Sequence, residues 1–242
     1  RFTVSEPTRG YSEALVHEVP PPPFWAVVRF LFASPVLRNV VIAGTLTAFA
    51  GYASVIWVPI YLVRIHEMGT GEAGTYLALT LGVGGAIGIY LGGRIADHLG
   101  KKYGEHWLAW LVAIVGLISV PFMLLCFFAE TAETAILAYA VPAFLGTIYV
   151  ACGFALIQNH TPLEMRSVCA AINLFILNII GLGLGPFSIG LLSDLFEPSM
   201  GQDSLRYGLL ATLVAIVLGC WYYYRTGAFI LRTRDRAIVS SL

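Results

Sequence analysis

Six stretches of this chain carry no Asp, Glu, Lys or Arg over lengths that cross a lipid bilayer. They are residues 39–63, 74–93, 107–128, 135–158, 167–193 and 207–224. A hydrocarbon core of about 30 Å takes roughly 20 residues at a rise of about 1.5 Å each. A chain in lipid must satisfy every backbone hydrogen bond internally, so such stretches are helices unless they alternate like barrel strands. They do not alternate. Composition agrees: 58% of residues are hydrophobic and 12% charged, where a soluble domain has about 45–50% and about 25%. The sequence therefore predicts an all-α membrane protein with six transmembrane helices.

Lys and Arg placement gives the orientation. With residues 1–38 inside, that side holds Arg1, Arg9, Arg29, Arg38, Arg94, Lys101, Lys102, Arg166, Arg225, Arg232, Arg234 and Arg236. The opposite side keeps only Arg64 and Arg206, among Glu67, Glu72, Glu130, Glu133, Asp194, Glu197 and Asp203. Both termini are thus expected in the cytoplasm. Trp107 and Trp110 open one span and Trp221, Tyr222, Tyr223 and Tyr224 close another, as interfacial aromatic belts do. The expected organisation is a cytoplasmic linker (1–38), a six-helix bundle (39–224) and a cytoplasmic tail (225–242). Within the linker, Pro20 to Pro23 stiffen the chain. The following "FWAVVRFLFASP" is either a short helix lying on the membrane surface or an ordinary loop. The chain starts with Arg1 and its first residues are unlike a signal peptide, so it is expected to begin inside a longer protein. Net charge is zero, with no basic block outside the loops, which argues against a nucleic-acid partner. Cys126, Cys152, Cys169 and Cys220 lie singly in apolar runs and read as small buried side chains. No metal-ligand spacing occurs and no cofactor is implied.

Between Ala73 and Ala129 every charge falls within "YLGGRIADHLGKK" and the nearby Glu105. Physically this reads as a tight turn, its glycines allowing close backbone approach and left-handed conformations. Lys101 and Lys102 satisfy the positive-inside rule, but Asp97 does not follow from it. A carboxylate there either docks on another helix's N-terminus or pairs with Arg166 from the next inside loop. Either contact would latch helix ends together in one state and release them in another.

Gly93, Arg94, Asp97, Gly100, Lys101 and Lys102 here resemble the signature G-x-x-x-D-[RK]-x-G-[RK]-[RK] of the major facilitator superfamily, with His98 where Arg or Lys is usual. In that family the motif joins the second and third helices of each six-helix half. "SEPTRG" and the polar residues after it resemble the connection following the sixth helix. "GLGLGPFSIG" (181–190) resembles the family's G-x-x-x-G-P element, and "TPLEMRS" its P-x-x-x-R turn ending at Arg166. The resemblance implies the C-terminal half of a transporter, spans seven to twelve, whose partner is an N-terminal six-helix half. "GYASVIWVPIYLVR", "SIGLLSD" and "DSLRY" look like bacterial Spinster-like members. That likeness implies export of an amphipathic lipid, such as a lysophospholipid or sphingoid-base phosphate, across a bacterial inner membrane.

Transporters of this build bind substrate near the midplane between rocking halves. The resembled fold lines its cavity with the first and fourth helices of each half. That nominates Phe49, Tyr52 and Trp57 from span seven and Tyr149 and Phe154 from span ten. Asn173 and Asn178 in span eleven either hydrogen-bond a neighbouring helix or face the aqueous path, since an unpaired amide in hydrocarbon is costly. Trp57 is either a belt residue or a cavity residue. Gly84, Gly88 and Gly92 repeat on one face of span eight. Gly181 and Gly185 do so in span eleven, beside Pro186. Both faces serve either static packing or sliding during alternating access. The spans hold no carboxylate, so a proton-coupling acid is expected in the other half. No G-x-S-x-G or H-E-x-x-H occurs, so an intramembrane enzyme is not expected. A carrier of small polar metabolites or drugs, or a scaffold that has lost transport, remain the rival readings.

Overall fold

Proline sets where the first two helices begin. The computed structural model describes residues 22–240, with side chains described as far as Asp235; "SEPTRG", Pro20 and Pro21 lie outside it. Pro23 is extended (φ −62°, ψ 143°) and its carbonyl accepts the first bonds of α1 (Phe24–Ala33). Ser34 is pushed extended (ψ 119°) by the proline after it, ending α1. Pro35 then occupies the first turn of α2 (Pro35–His66), where its missing N–H costs nothing. The "FWAVVRFLFASP" segment is thus helical rather than a loop. It buries Val27 and Leu31 against the bundle and leaves Trp25 77% exposed.

Five further helices follow: α3 (Thr70–Tyr103), α4 (His106–Phe127), α5 (Ala132–Asn159), α6 (166–200) and α7 (Ser204–Ser240). The links are short, so consecutive helices run antiparallel. Glu67 ends α2 in the left-handed region (φ 53°). From Leu163 to Asp235 the backbone is helical almost throughout, 73 residues that by continuity alone would be one span. Gly201 (φ 56°) reverses it. Ser193 then meets Ser204 at 3.2 Å, and Gly208 packs on the Ile189 carbonyl. These contacts make α6 and α7 an antiparallel pair and the spans six.

Every spanning helix except α4 runs past its apolar stretch at both ends, because a helix need not stop where hydrocarbon does. The largest difference is at 90–102. The expected turn is instead the last turns of α3, which stays α-helical to Tyr103. The reversal is confined to Gly104–Glu105, and only Gly104 there has positive φ (108°). Gly92, Gly93 and Gly100 are all helical. Similarly, α7 has no break at Tyr224, where the tail was expected to begin. It continues along α4: Trp110 donates its indole N–H to the Tyr224 carbonyl at 3.3 Å and stacks on its ring. Gly227 sits against Trp110, and Arg234 over Gly104.

The second helix of each consecutive trio carries a π-helical stretch, Ala78–Gly84 in α3 and Leu177–Leu184 in α6. The glycine face of α3 that meets a neighbour follows the i, i+3, i+7 spacing of an α-helix, which corrects the expected 84–88–92 set. A side chain at Gly84 would meet nothing within 4 Å. Gly85, Gly88 and Gly92 are the ones turned to α5, where Gly88 lies on Phe144 and Thr147 and Gly92 on Ile148. The buried apolar residues form two clusters, one toward the basic end (Lys101, Lys102, Arg166) and one toward the acidic end (Glu130, Glu197, Asp203). Large apolar side chains cover much of the outer surface, which lipid or another protein must shield. The chain is an integral multi-pass membrane protein.

Candidate substrate cavity

Two cavities occupy the middle of the bundle. The smaller, about 100 Å³, lies among α2, α5, α6 and α7. The larger, about 250 Å³, lies among α2, α4, α5 and α7 with Leu81 of α3. Tyr52 and Tyr149 line both, forming the wall between them.

Small residues bring the walls together. Gly181 lets α6 lie on Ala48 and Tyr52 of α2, and Gly185 lies over the Phe49 carbonyl, where a Cβ would stand 2.7 Å from the oxygen. Alongside, Trp57 donates its indole N–H to the Pro186 carbonyl at 2.8 Å and covers Gly190. On the far side of the smaller cavity, Gly44 and Gly153 form a notch holding the Tyr223 hydroxyl.

Five of the seven nominated residues therefore converge: Tyr52, Tyr149, Phe154, Asn173 and Asn178 line the smaller cavity. Phe49 and Trp57 line neither; the first meets α6 through its backbone and the second ties α2 to α6. Sequence reading missed Tyr223, which it grouped with the belt. Trp221 and Tyr224 are half exposed, but Tyr223 is 1% exposed. Helical periodicity could have found it, since Tyr223 follows Cys220 and Thr212 on the buried face of α7.

The two cavities differ in chemistry. Around the larger, Thr47, Ser54, Ser119 and Thr147 each donate their hydroxyl to a carbonyl of their own helix, at 2.7–2.9 Å. Its remaining wall is predominantly aliphatic, so it presents an apolar surface. In the smaller cavity, Asn178 spends one N–H on the Leu174 carbonyl at 2.8 Å. Asn173 is 5% exposed. Among the described residues neither its amide nor the Tyr223 hydroxyl has a hydrogen-bond partner. Neither cavity is lined by Asp, Glu, Lys, Arg or His. No group of three or more His, Cys, Asp or Glu able to hold a metal occurs among the described residues.

At the basic end the signature residues decorate the last turns of α3. Arg94 donates to the Tyr90 hydroxyl at 3.0 Å, and Lys102 lies over the Tyr103 ring. Lys101 is exposed. Gly93 faces open space, and Gly100 lies against Leu108 of α4. Asp97 is exposed, and among the described residues no ion pair joins it to Arg166. Arg166 donates from Nε to the Thr161 carbonyl at 3.1 Å, closing its own turn. Between the links that follow α3 and α5, the Glu105 carboxylate and the His160 ring lie 3.4 Å apart, an ion pair when the imidazole is protonated. At the acidic end Arg64 and Glu197 join α2 to α6 at the same distance.

The family model of the Major Facilitator Superfamily matches residues 2–186. An "MFS-type efflux pump" of Mycolicibacterium smegmatis is 33% identical over 180 residues, covering 74% of this chain and 42% of the relative. The "Sphingosine-1-phosphate transporter SPNS2" of Danio rerio is 27% identical, covering 81% of this chain and 42% of itself. The human "Protein spinster homolog 1" is 26% identical, covering 98% and 49%. Among solved structures, a bacterial homologue of the human lysosomal transporter Spinster, inward-facing and unoccupied, superposes with a TM-score of 0.76. It is 21% identical, the match covering 87% of this chain and 51% of that one. The chain thus spans about half the length of the relatives it matches.

Proposed function

Since this chain belongs to the Major Facilitator Superfamily, we propose that it is the C-terminal half of a Spinster-like secondary transporter moving an amphipathic organic or lipid substrate by alternating access. The observation that carries the reading is the pair of adjoining cavities sharing Tyr52 and Tyr149. One adds the amides of Asn173 and Asn178 and the Tyr223 hydroxyl; the other is lined mostly by apolar side chains and by hydroxyls already bonded to their own helices. An amphipathic molecule has the same two-part chemistry. The N-terminal six-helix half completes the translocation path. With no Asp, Glu or His lining either cavity, the acid for proton coupling belongs to that half. The exposed Asp97, in no ion pair among the described residues, is then a latch that closes on the partner half's helices rather than on Arg166. The twelve-to-two distribution of Lys and Arg supports an inner-membrane protein with the basic end in the cytoplasm.

Flux measured with the full-length protein in liposomes tests this. A fluorescent lysophospholipid should move across the bilayer faster than in protein-free liposomes. Absence of movement for any lipid probe, with movement of a cationic dye or a small metabolite, would replace the lipid reading. The 33% identity to an efflux pump favours that second reading, a drug or metabolite exporter. No movement of any probe would mark a scaffold.

A further inference from the structure

The Tyr223 hydroxyl is enclosed by protein, has no hydrogen-bond partner among the described residues, and lines the smaller cavity. A buried hydroxyl left unpaired is costly, and native structures rarely keep one without a use. The surroundings are built to leave it room. A Cβ at Gly44 would stand 3.6 Å from its oxygen and one at Gly153 3.4 Å, so larger residues at either position would occupy the notch. The amide of Asn173, without a hydrogen-bond partner among the described residues, lines the same space.

Two properties select the ligand. The first is charge: the cavity wall holds no Asp, Glu, Lys, Arg or His, and an ion without a counter-charge is expelled from such a site. The second is the donor set: an amide and a phenol hydroxyl facing a space of about 100 Å³ suit the oxygen of a hydroxyl, an ester or an amide, which exchanges neutral hydrogen bonds with them.

We propose that Tyr223 and Asn173 bind the uncharged oxygen-bearing neck of a single-chain lipid, the segment between headgroup and tail. The tail then passes the Tyr52–Tyr149 wall into the apolar cavity, and the charged headgroup is left to the partner half. This rests on the lipid-transport reading above and assigns one segment of the substrate to this half.

The test compares two lipids on the full-length protein in detergent. Palmitoyl lysophosphatidylcholine and hexadecylphosphocholine share headgroup and chain type, but the second lacks the glycerol hydroxyl and the ester. Tyr223→Phe should weaken the first about three- to tenfold, the loss of one neutral hydrogen bond, and leave the second unchanged. Its melting temperature should equal or exceed that of the wild type, because only an unpaired hydroxyl is removed. Equal weakening of both lipids, or of neither, overturns the neck site while leaving lipid transport standing; the latter is also the result if water alone fills the cavity. Binding of neither lipid by the wild type overturns the lipid reading and this one with it. If Tyr223→Phe does not fold, Gly44→Ala narrows the same notch at ordinary contact distance and should give the same selective loss.

Discussion

Replacing Gly185 by alanine puts a methyl carbon where the backbone of α2 already stands. The added Cβ would lie 2.7 Å from the Phe49 carbonyl oxygen and 3.5 Å from the Phe49 Cα. A carbonyl in a helix cannot rotate away as a side chain does, so α6 must move off α2 by several tenths of an ångström. Overpacking of this kind costs about 1–3 kcal/mol. The same movement stretches the 2.8 Å bond from Trp57 to the Pro186 carbonyl, with about 0.5–1.5 kcal/mol at stake. Against these, alanine is the better helix former by about 1 kcal/mol. The balance is a destabilisation of about 1–3 kcal/mol. On the scale of a unit this size that lowers the melting temperature by about 2–4 °C per kcal/mol. Thermal unfolding of the full-length protein in detergent, followed by tryptophan fluorescence, reads the shift. Gly183→Ala is the control, since a Cβ there meets nothing within 4 Å. It should melt at or above the wild type. If Gly185→Ala melts no lower than Gly183→Ala, close approach of α2 and α6 is not what this glycine serves.

The same logic separates Gly84 from Gly92. Gly84→Ala should be silent, whereas Gly92→Ala, with Ile148 Cγ1 at 2.6 Å from the new Cβ, should lower the melting temperature; equal behaviour would restore the 84–88–92 face. Asp97→Asn should leave stability within about 0.5 kcal/mol, as for an exposed residue, yet slow flux and change the accessibility of the basic end; wild-type flux with unchanged accessibility would dismiss the latch. Tyr52→Ala and Asn178→Ala should each change substrate affinity in a binding assay, and a loss of expression alone would make them packing residues.

What the sequence made legible was whatever depends on near neighbours or on lipid as solvent. The charge-free runs give the six spans, and the 93–102 motif gives the family. Helix position within the spans was enough to bring Tyr52, Tyr149, Phe154, Asn173 and Asn178 to one cavity. The errors share a cause in distant contacts. Glycine and charge together suggest a turn at 92–102, but Gly92 and Gly100 serve Ile148 and Leu108 on other helices, and α3 continues through them. Gly84 drops from its repeat because α5 meets the face set by the i, i+3, i+7 spacing of Gly85, Gly88 and Gly92, and which face α5 covers is a distant contact. Tyr223 looked interfacial because Trp221 and Tyr224 flank it; its burial depends on Gly44 and Gly153 in other spans.

The unbroken run of α7 past Arg225 joins regions that a flexible tail would have kept independent. At 37 residues and about 1.5 Å each, α7 is a boom about 55 Å long. Pivoted near Ser204, it turns a tilt of ~5° into about 5 Å of travel at its far tip. Arg234 rides close to that tip over Gly104, so any tilt of α7 at the acidic end would reach the hairpin bend between α3 and α4 magnified.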